Sequence, residues 1–375
     1  MAHAYTPGLA IVERMVIRKE RRLPLKGQVE VKVGDKVESE KVVARTELPG
    51  NPELVNIANK LGLEASEVPN AMVKEVGEFV KKEDLLAEAR SFFGLFHSKA
   101  TSPITGTIEN ISNTTGKVLV RAPAIPVEVL AYIEGEVVEV MPEEGVILES
   151  FGTFIQGIFG VGGETVGDLV LLTEDPGRAL APDMINEKHK GKILAGGALV
   201  TSAVIDKAIK TGVKGIVTGG IGDEDLKKFL GYDLGVAITG SEKKGITLVV
   251  TEGFGQIPMA DKTLGLLKMN QGHKTSINGA TQIRAGVIRP EVIIPRMDLK
   301  EKGASKENEK AGAMEVGSLI RVIREPNFGA KAKVVSLPVD LVKVESETMV
   351  RVVEVEMEDG TRWKLPRANV EMVEN

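Results

Sequence analysis

Val73-Lys74-Glu75-Val76-Gly77-Glu78-Phe79-Val80-Lys81-Lys82-Glu83-Asp84-Leu85-Leu86-Ala87 is followed, after a short apolar patch, by Ser102-Pro103-Ile104-Thr105-Gly106-Thr107-Ile108-Glu109-Asn110-Ile111. Short runs with apolar and polar residues in alternation flank turns at Gly77 and Gly106, the second led in by Pro103, and this predicts short strands turned by glycine. The first half has an earlier echo. Val33-Gly34-Asp35 with Val37, then a polar stretch, then Val42-Val43-Ala44, matches Val76-Gly77-Glu78-Phe79-Val80 followed by Leu85-Leu86-Ala87. Such a turn-and-strand unit belongs to a small β barrel, and its recurrence is an internal echo rather than a long repeat. Between the copies, Asn51 as N-cap and Pro52 at the first helical position open a helix. Leu54, Val55, Ile57, Ala58 and Leu61 form its apolar face and Gly62 stops it, so a helical insertion is expected over 51–62.

Gly77, Val80, Leu86, Ala87, Ser102, Pro103, Gly106, Ile108 and Gly116 together resemble the barrel-sandwich hybrid fold of biotinyl and lipoyl carrier domains. They are equally similar to the related domains of large redox-pump subunits and RNA polymerase. Carriers of that family present a modified lysine at a hairpin tip, in a Met-Lys-Met or Asp-Lys-Ala setting. The equivalent stretch here is Phe92-Phe93-Gly94-Leu95-Phe96-His97-Ser98-Lys99-Ala100. Lys99 has the following alanine but neither Asp nor Met before it. The resemblance therefore implies the fold without the carrier group, and no cofactor is expected. Phe92, Phe93, Leu95 and Phe96 are expected to pack against another domain, since an exposed apolar cluster would otherwise be a contact site.

At 375 residues the chain is too long for one ordinary core, and two to three domains are expected. Aromatics make up only 4%, so Val, Ile, Leu and Ala must fill the cores. A net charge of −5 argues against bulk electrostatic capture of nucleic acid, although a local basic patch is compatible with it. The absence of cysteine excludes disulfides, thiolate metal sites and thiol catalysis and fits a reducing compartment. No stretch resembles a signal peptide or reaches the length of a transmembrane helix, so a cytoplasmic protein without membrane association is expected. His3, His97, His189 and His273 are scattered without metal-ligand spacing, and no metal site is expected.

A lead-in strand is expected over Leu9 to Ile17. The basic run Arg14, Arg18, Lys19, Arg21 and Arg22 reads as a solvated turn. Strands continue from Val127 to Gly167, ending in Gly157-Ile158-Phe159-Gly160-Val161-Gly162-Gly163-Glu164-Thr165-Val166-Gly167. This glycine density suits either a phosphate cradle or a tight β turn at a domain junction. It lacks the Lys-Ser/Thr of a nucleotide loop, and no clear helix follows it.

Asp175-Pro176-Gly177 and Ala181-Pro182-Asp183 mark a connection over 173–190. Beyond Gly191, strands and helices alternate. Helices are expected from Ser202 to Lys210, from Glu224 to Leu230 with Asp223 as cap, and from Pro258 to Met269. Strands are expected at Ile193–Leu194, Lys214–Thr218, Leu234–Ile238 and Thr247–Val250, with strands again from Arg284 to Ile294. Alternation of this kind implies a mostly parallel sheet covered by helices, with ligands bound beyond the carboxyl ends of its strands. That edge collects Gly196, Gly197, Gly219, Gly220, Gly222, Thr239, Gly240, Glu252 and Gly253, the candidate small-molecule site, with Thr251 and Gly255 beside them. Turns alone would account for the glycines equally well.

A charged linker over 300–313 leads to a C-terminal β unit over 314–375. Gly317, Val322, Ile323, Pro326, Phe328 and Gly329, with the closing segment Asn369 to Met372, resemble the KOW motif in its SH3-like barrel, as in transcription elongation factors and ribosomal proteins. Asp359-Gly360 predicts a hairpin turn. The resemblance implies RNA or protein binding. The candidate contact residues are Arg321, Arg324, Phe328, Lys331, Lys333, Arg362, Trp363, Lys364 and Arg367, cations beside aromatics as on stacking surfaces.

The expected fold is thus a multidomain α/β plus all-β protein. A barrel-sandwich hybrid β domain fills 1–172, a layered α/β domain fills 191–299, and an SH3-like (KOW) barrel closes the chain. No catalytic pair, nucleophile elbow or dinucleotide fingerprint stands out. The leading functional expectation is a non-enzymatic adaptor that binds a protein assembly or RNA through its barrels. The alternative is an enzyme or enzyme subunit holding a phosphorylated or carboxylated small molecule at the glycine-rich strand ends, with Glu252 and Asp223 as acid/base groups. The sequence leaves the oligomeric state open.

Overall fold

The computed structural model describes residues 9–91, 96–232, 238–240, 242–282, 288–303, 314, 316–323, 329–338, 341–343, 349–357 and 359–372. Residues 234–237 of the strand expected at Leu234–Ile238, the residues Phe92, Phe93, Leu95, Arg324 and Phe328, and most of the charged linker lie outside these.

An 11-stranded mixed sheet organises the chain. Its order is Phe159–Val161, Thr247–Phe254, Gly215–Ile221, Ile193–Ala195, Glu164–Leu171, Lys274–Asn278, Glu291–Pro295, Gly145–Gln156, Gly135–Met141 and Lys36–Val37, with Ile11–Arg22 on the other side of Gly145–Gln156. The expected mostly parallel sheet is corrected to a mixed one. Parallel pairing joins only the strands that begin at Glu164, Ile193, Gly215 and Thr247. The strands at Lys274 and Glu291 join antiparallel. The long Gly145–Gln156 strand is held along one side by Ile11–Arg22. Its other side is divided between Gly135–Met141 and Glu291–Pro295.

The sheet draws on both sides of the 173–190 connection, because Leu169-Val170-Leu171 pairs directly with Ile193-Leu194-Ala195. Its two faces are packed accordingly. One buries Leu9, Phe159 and Leu180 with Leu194, Val204, Ile216, Leu226 and Leu248. The other buries Ile11, Ile155 and Leu169 with Ile193, Val217, Val249, Leu267 and Ile294. The strands at 193–195 and 215–221 are buried throughout, as expected of strands covered on both faces. Helices Ser202–Thr211 and Asp223–Leu230 each end in a glycine of positive φ, Gly212 and Gly231. Gly222, not Asp223, is the N-cap of the second helix, and a third helix runs Asp261–Met269.

In the N-terminal part, Pro52–Asn56, Lys117–Arg121, Gly106–Ile111 and Phe79–Val80 form one four-stranded sheet, and Ile125–Leu130, Val42–Leu48 and Gln28–Val29 form a three-stranded one. The helix expected from Asn51 begins only at Ile57, with Asn56 as its cap. Pro52–Asn56 is instead an edge strand paired with Lys117–Arg121, a place where proline at the first residue costs no ladder bond. The internal echo is real down to its turns. Lys32 N–H donates to the Asp35 carboxylate (2.9 Å) and Glu75 N–H to the Glu78 carboxylate (3.1 Å), while Gly34 and Gly77, at φ of 90° and 89°, donate to Val137 and Ile108 carbonyls.

The basic run at the N-terminus is strand, not turn: Ile11–Arg22 extends to its last arginine. The C-terminal part is a six-stranded curled sheet, a half-barrel, with the order Leu341–Lys343, Met349–Met357, Lys331–Ser336, Leu319–Val322, Val370–Met372 and Arg362–Pro366 beside Met349–Met357. The hairpin at Asp359-Gly360 has Gly360 at φ 81° and Thr361 N–H donating to Asp359. Among the described residues no helix is long and apolar enough to cross a membrane.

Candidate functional site

Near the carboxyl ends of the parallel strands, the register shifts between the pair Thr218 with Val250 and the pair Gly220 with Gly253. Thr251 and Glu252 therefore stand opposite a single residue, Gly219, and bulge from the ladder. Bulges re-aim side chains and free backbone groups, and here both consequences are used. The Thr251 carbonyl accepts from Arg321 Nη1 at 2.9 Å, and Glu252 Oε2 accepts from Arg321 Nη2. Lys331 Nζ lies 3.6 Å from the same oxygen. Arg321 and Lys331 are direct cross-strand neighbours in the half-barrel, which is why both reach one carboxylate. Glu252 Oε1 accepts the Ala260 N–H at 3.0 Å. The side chains of Glu252 and Arg321 are each only 1% exposed.

The two candidate sets thus meet: Glu252 and Gly253 of the first are held against Arg321 and Lys331 of the second. A Cβ on Gly253 would lie 3.4 Å from the Gly329 Cα, so two glycines let the half-barrel and the sheet approach backbone to backbone. Ile257 reaches both, and Ile323 packs against the sheet's core.

The rest of that edge is closed by the chain itself. Gly255 N–H donates to Ile221, Ile257 N–H to Ala198 and Met259 N–H to Pro176. Gly196, Gly197, Gly219 and Gly220 are buried beneath these segments. A methyl group on Gly220 would overlap the Gly255 carbonyl oxygen, one on Gly219 the Ile257 carbonyl, and a Cβ on Gly197 would lie 2.7 Å from the Arg178 carbonyl. The glycines thus serve close approach of backbone. Gly222 caps a helix beside Asp225, whose carboxylate accepts the Ser202 N–H and hydroxyl at 2.8 and 2.9 Å. Asp223 is exposed on that helix's first turn.

Thr239 and Gly240 do not belong to this edge. Ile238–Thr239 pairs antiparallel with Thr281–Gln282, apart from the large sheet. Gly240 lies against Ala280 and Gly163, and the Gly163 carbonyl accepts from the Thr247 hydroxyl at 2.9 Å. Thr247 starts its strand, so this is the opposite, amino-terminal edge.

On the half-barrel's outer face the cations are matched across strands. Arg362 binds Glu356 and Lys364 binds Glu354, both at 3.0 Å, and Ser336 also donates to Glu354. Arg367 donates to the Val352 and Pro338 carbonyls. Trp363 packs against the half-barrel's core, while Lys333 is exposed beside Glu356 in register.

A second polar cluster lies in the basic run read as solvated. Lys19 binds both oxygens of Glu291 at 2.6 and 2.7 Å, and Arg21 binds both of Glu164 at 2.6 and 2.7 Å. Arg21 also lies 5.3 Å from the ring centroid of Tyr132, a buried residue at φ 69° whose hydroxyl donates to Glu291. Burial first, and then the Glu291 charge, push the Tyr132 phenol well above its ordinary range. The period of two carries the signal for this cluster, since Ile17, Lys19 and Arg21 share one face of a strand and Ile17 is core. For the clamp, the signal is a lone charge inside an apolar run: Leu319-Ile320-Arg321-Val322-Ile323 and Leu248-Val249-Val250-Thr251-Glu252. Among the described residues no group of His, Asp or Glu side chains is arranged to hold a metal ion.

Comparison with known proteins finds no matching family model and no matching curated sequence.

Proposed function

We propose that the protein is a non-enzymatic multidomain adaptor that docks on a protein assembly. One observation carries this reading: Glu252, the carboxylate an enzyme would need at the strand ends, is shared among Arg321, Lys331 and the Ala260 N–H and holds the C-terminal unit in place. A site whose acid/base candidate is dry and already ion-paired has no room to act on a substrate. It does fix the relative position of two modules, which is what a docking scaffold needs.

Protein is favoured over RNA as the partner. Arg362 and Lys364 are neutralised by glutamates one strand away, and Trp363 is turned toward the core, so the outer face offers few free cations or stacking rings among the described residues. The N-terminal part also exposes apolar side chains, with Leu54 and Phe79, on the two opposite edge strands of its four-stranded sheet, and Val76 at 62%, 55% and 58% exposed. Contact surfaces are enriched in such groups. In this reading, residues 1–172 act as a barrel-sandwich-like module and 314–375 as a KOW-like, SH3-like module, joined through the α/β part at 191–299.

The test is cross-linking of the full chain in native extract with identification of linked peptides, run beside a Leu54→Asp, Phe79→Asp double variant. A defined protein partner linked near these residues, and lost in the variant, is the expected result. RNA binding with a steep salt dependence, or a metabolite whose stabilisation of the fold disappears in Glu252→Gln, would overturn it.

A further inference from the structure

The amino-terminal edge of the same parallel strands is open where the carboxyl edge is closed. The Phe159–Val161 strand runs antiparallel to Thr247–Phe254, so its carboxyl end emerges here, and Gly162 turns it at φ 86°. Gly162 and Gly163 then form one wall of a cleft of about 280 Å³. Lys214 enters from the start of its strand, and Glu242, Lys243 and Lys244 from the segment before Thr247. A volume at the low end of the usual range for small-molecule sites suits a metabolite of a few carbons rather than a nucleotide.

The sign of the ligand follows from how the charges are engaged. Glu164, at the rim, is taken by both guanidinium nitrogens of Arg21. Glu242 accepts the Gly240 N–H at 2.6 Å and the Tyr232 hydroxyl at 3.3 Å. Burial pushes its carboxyl up, but the N–H groups of Gly240, Glu242 and Gly162 with the Tyr232 hydroxyl outweigh that and hold it below the ordinary carboxylate value. The glycine loop therefore already favours negative charge. The lysines are differently placed. Lys244 rests on the Leu230 carbonyl and Lys214 on the Val166 carbonyl, which are neutral acceptors. Lys214 has Glu40 only at 3.8 Å, and Lys274 holds that carboxylate at 3.0 Å. Lys243 is exposed at the mouth. Glu164 is thus paired with a cation, while Glu242, held by neutral donors, keeps its charge just as the lysines on neutral acceptors keep theirs; three lysines against Glu242 leave a net positive field in a concave site.

We infer that this cleft binds a small phosphate monoester, with its phosphate between Lys214 and Lys243 and its carbon body against Gly163. The site goes beyond the adaptor reading and does not rest on it: loss of ligand binding leaves partner capture untouched, and the reverse.

The test is titration calorimetry on the full chain at low salt, with inorganic phosphate and glycerol 3-phosphate as probes. Lys243→Glu and Lys243→Ala remove the mouth cation. Lys60→Glu, exposed on the short helix of the N-terminal part, is the charge control. Saturable binding, tighter for the ester than for phosphate and weakened about tenfold or more in both Lys243 variants, as expected for loss of one charged hydrogen bond, is the predicted result. No saturable binding of either probe in the millimolar range, or equal weakening by Lys60→Glu, overturns it.

Discussion

The two ends of the four parallel strands are furnished with the same kinds of residue, glycines and a carboxylate beside lysine or arginine, and they end in opposite states. At the carboxyl end Gly219 and Gly220 lie under the 255–259 segment, and Glu252 is sealed beneath Arg321. At the amino end Gly163 borders the cleft, with Gly162 buried beside it, and Glu242 is held by backbone N–H groups rather than by a guanidinium. Glycine marks where something comes close. Whether that something is the chain's own backbone or solvent and ligand is decided by segments far away in sequence. Arg321 and Glu252 are 69 residues apart.

The sharpest way to break this contrast is at the clamp. Removing Arg321 leaves the buried Glu252 carboxylate with Lys331, at 3.6 Å, as its remaining described cation, so Arg321→Met is expected to fall toward the lower end of about 3–5 kcal/mol in urea denaturation. Adding Glu252→Gln, which keeps an acceptor for the Ala260 N–H, should recover most of that loss. A cost below about 1 kcal/mol for the single variant would mean the pair is not desolvated and the carboxyl end is no more closed than the amino end.

Alanine at paired glycines gives the next largest effect. Gly220→Ala pushes a methyl into the Gly255 carbonyl and is expected to destabilise by about 1–3 kcal/mol. Gly163→Ala meets nothing nearer than the Gly240 carbonyl at 3.3 Å and needs no positive φ. It should stay within about 0.5 kcal/mol of the parent. Equal costs at the two positions would erase the distinction between a closed and an open edge.

Much of this was legible in the residues. The helices expected over 202–210 and 224–230 lie within one residue of the observed 202–211 and 223–230, and the twin turns follow from Val33-Gly34-Asp35 and Val76-Gly77-Glu78. Local signals failed where a distant partner outvoted them. Leu54, Val55, Ile57 and Leu61 satisfy a helical face, but Lys117–Arg121 supplies a ladder that pulls Pro52–Asn56 into strand, so only Ile57–Leu61 remains helical. Composition marks the glycine-rich strand ends but places Thr239 and Gly240 at the wrong edge, because strand direction is a property of pairing with Thr281–Gln282 and not of composition. Glu252 and Arg321 each stand out as a charge beside an apolar run, but neither carries information about the other in its own neighbourhood.

Acid titration refines the amino-terminal edge. Because the folded protein holds Glu242 below its ordinary value of 4.5, its contribution is fully present above that value and fades as the pH falls through the lowered one. The stability difference between the parent and Glu242→Gln should therefore be constant near neutrality and narrow below about pH 4.5. A difference that grows on acidification would show that the N–H groups around Glu242 prefer the neutral form.

The smallest effect is expected on the outer face of the half-barrel. Arg362 and Lys364 are 68% and 50% exposed and face Glu356 and Glu354 across a strand. Exposed pairs of this kind contribute about 0–1 kcal/mol and are screened by salt. Arg362→Ala should therefore barely shift the denaturation midpoint, and less still at high salt, in contrast to Arg321 in the same half-barrel. The pairing also bears on recognition, since a cation already matched by a carboxylate releases few counterions when a phosphate replaces it. If Arg362→Ala and Lys364→Ala together nonetheless abolished binding to an RNA ligand, those arginine and lysine side chains would have to exchange glutamate for phosphate on binding. The half-barrel would then resemble the open edge of the sheet more than the closed one.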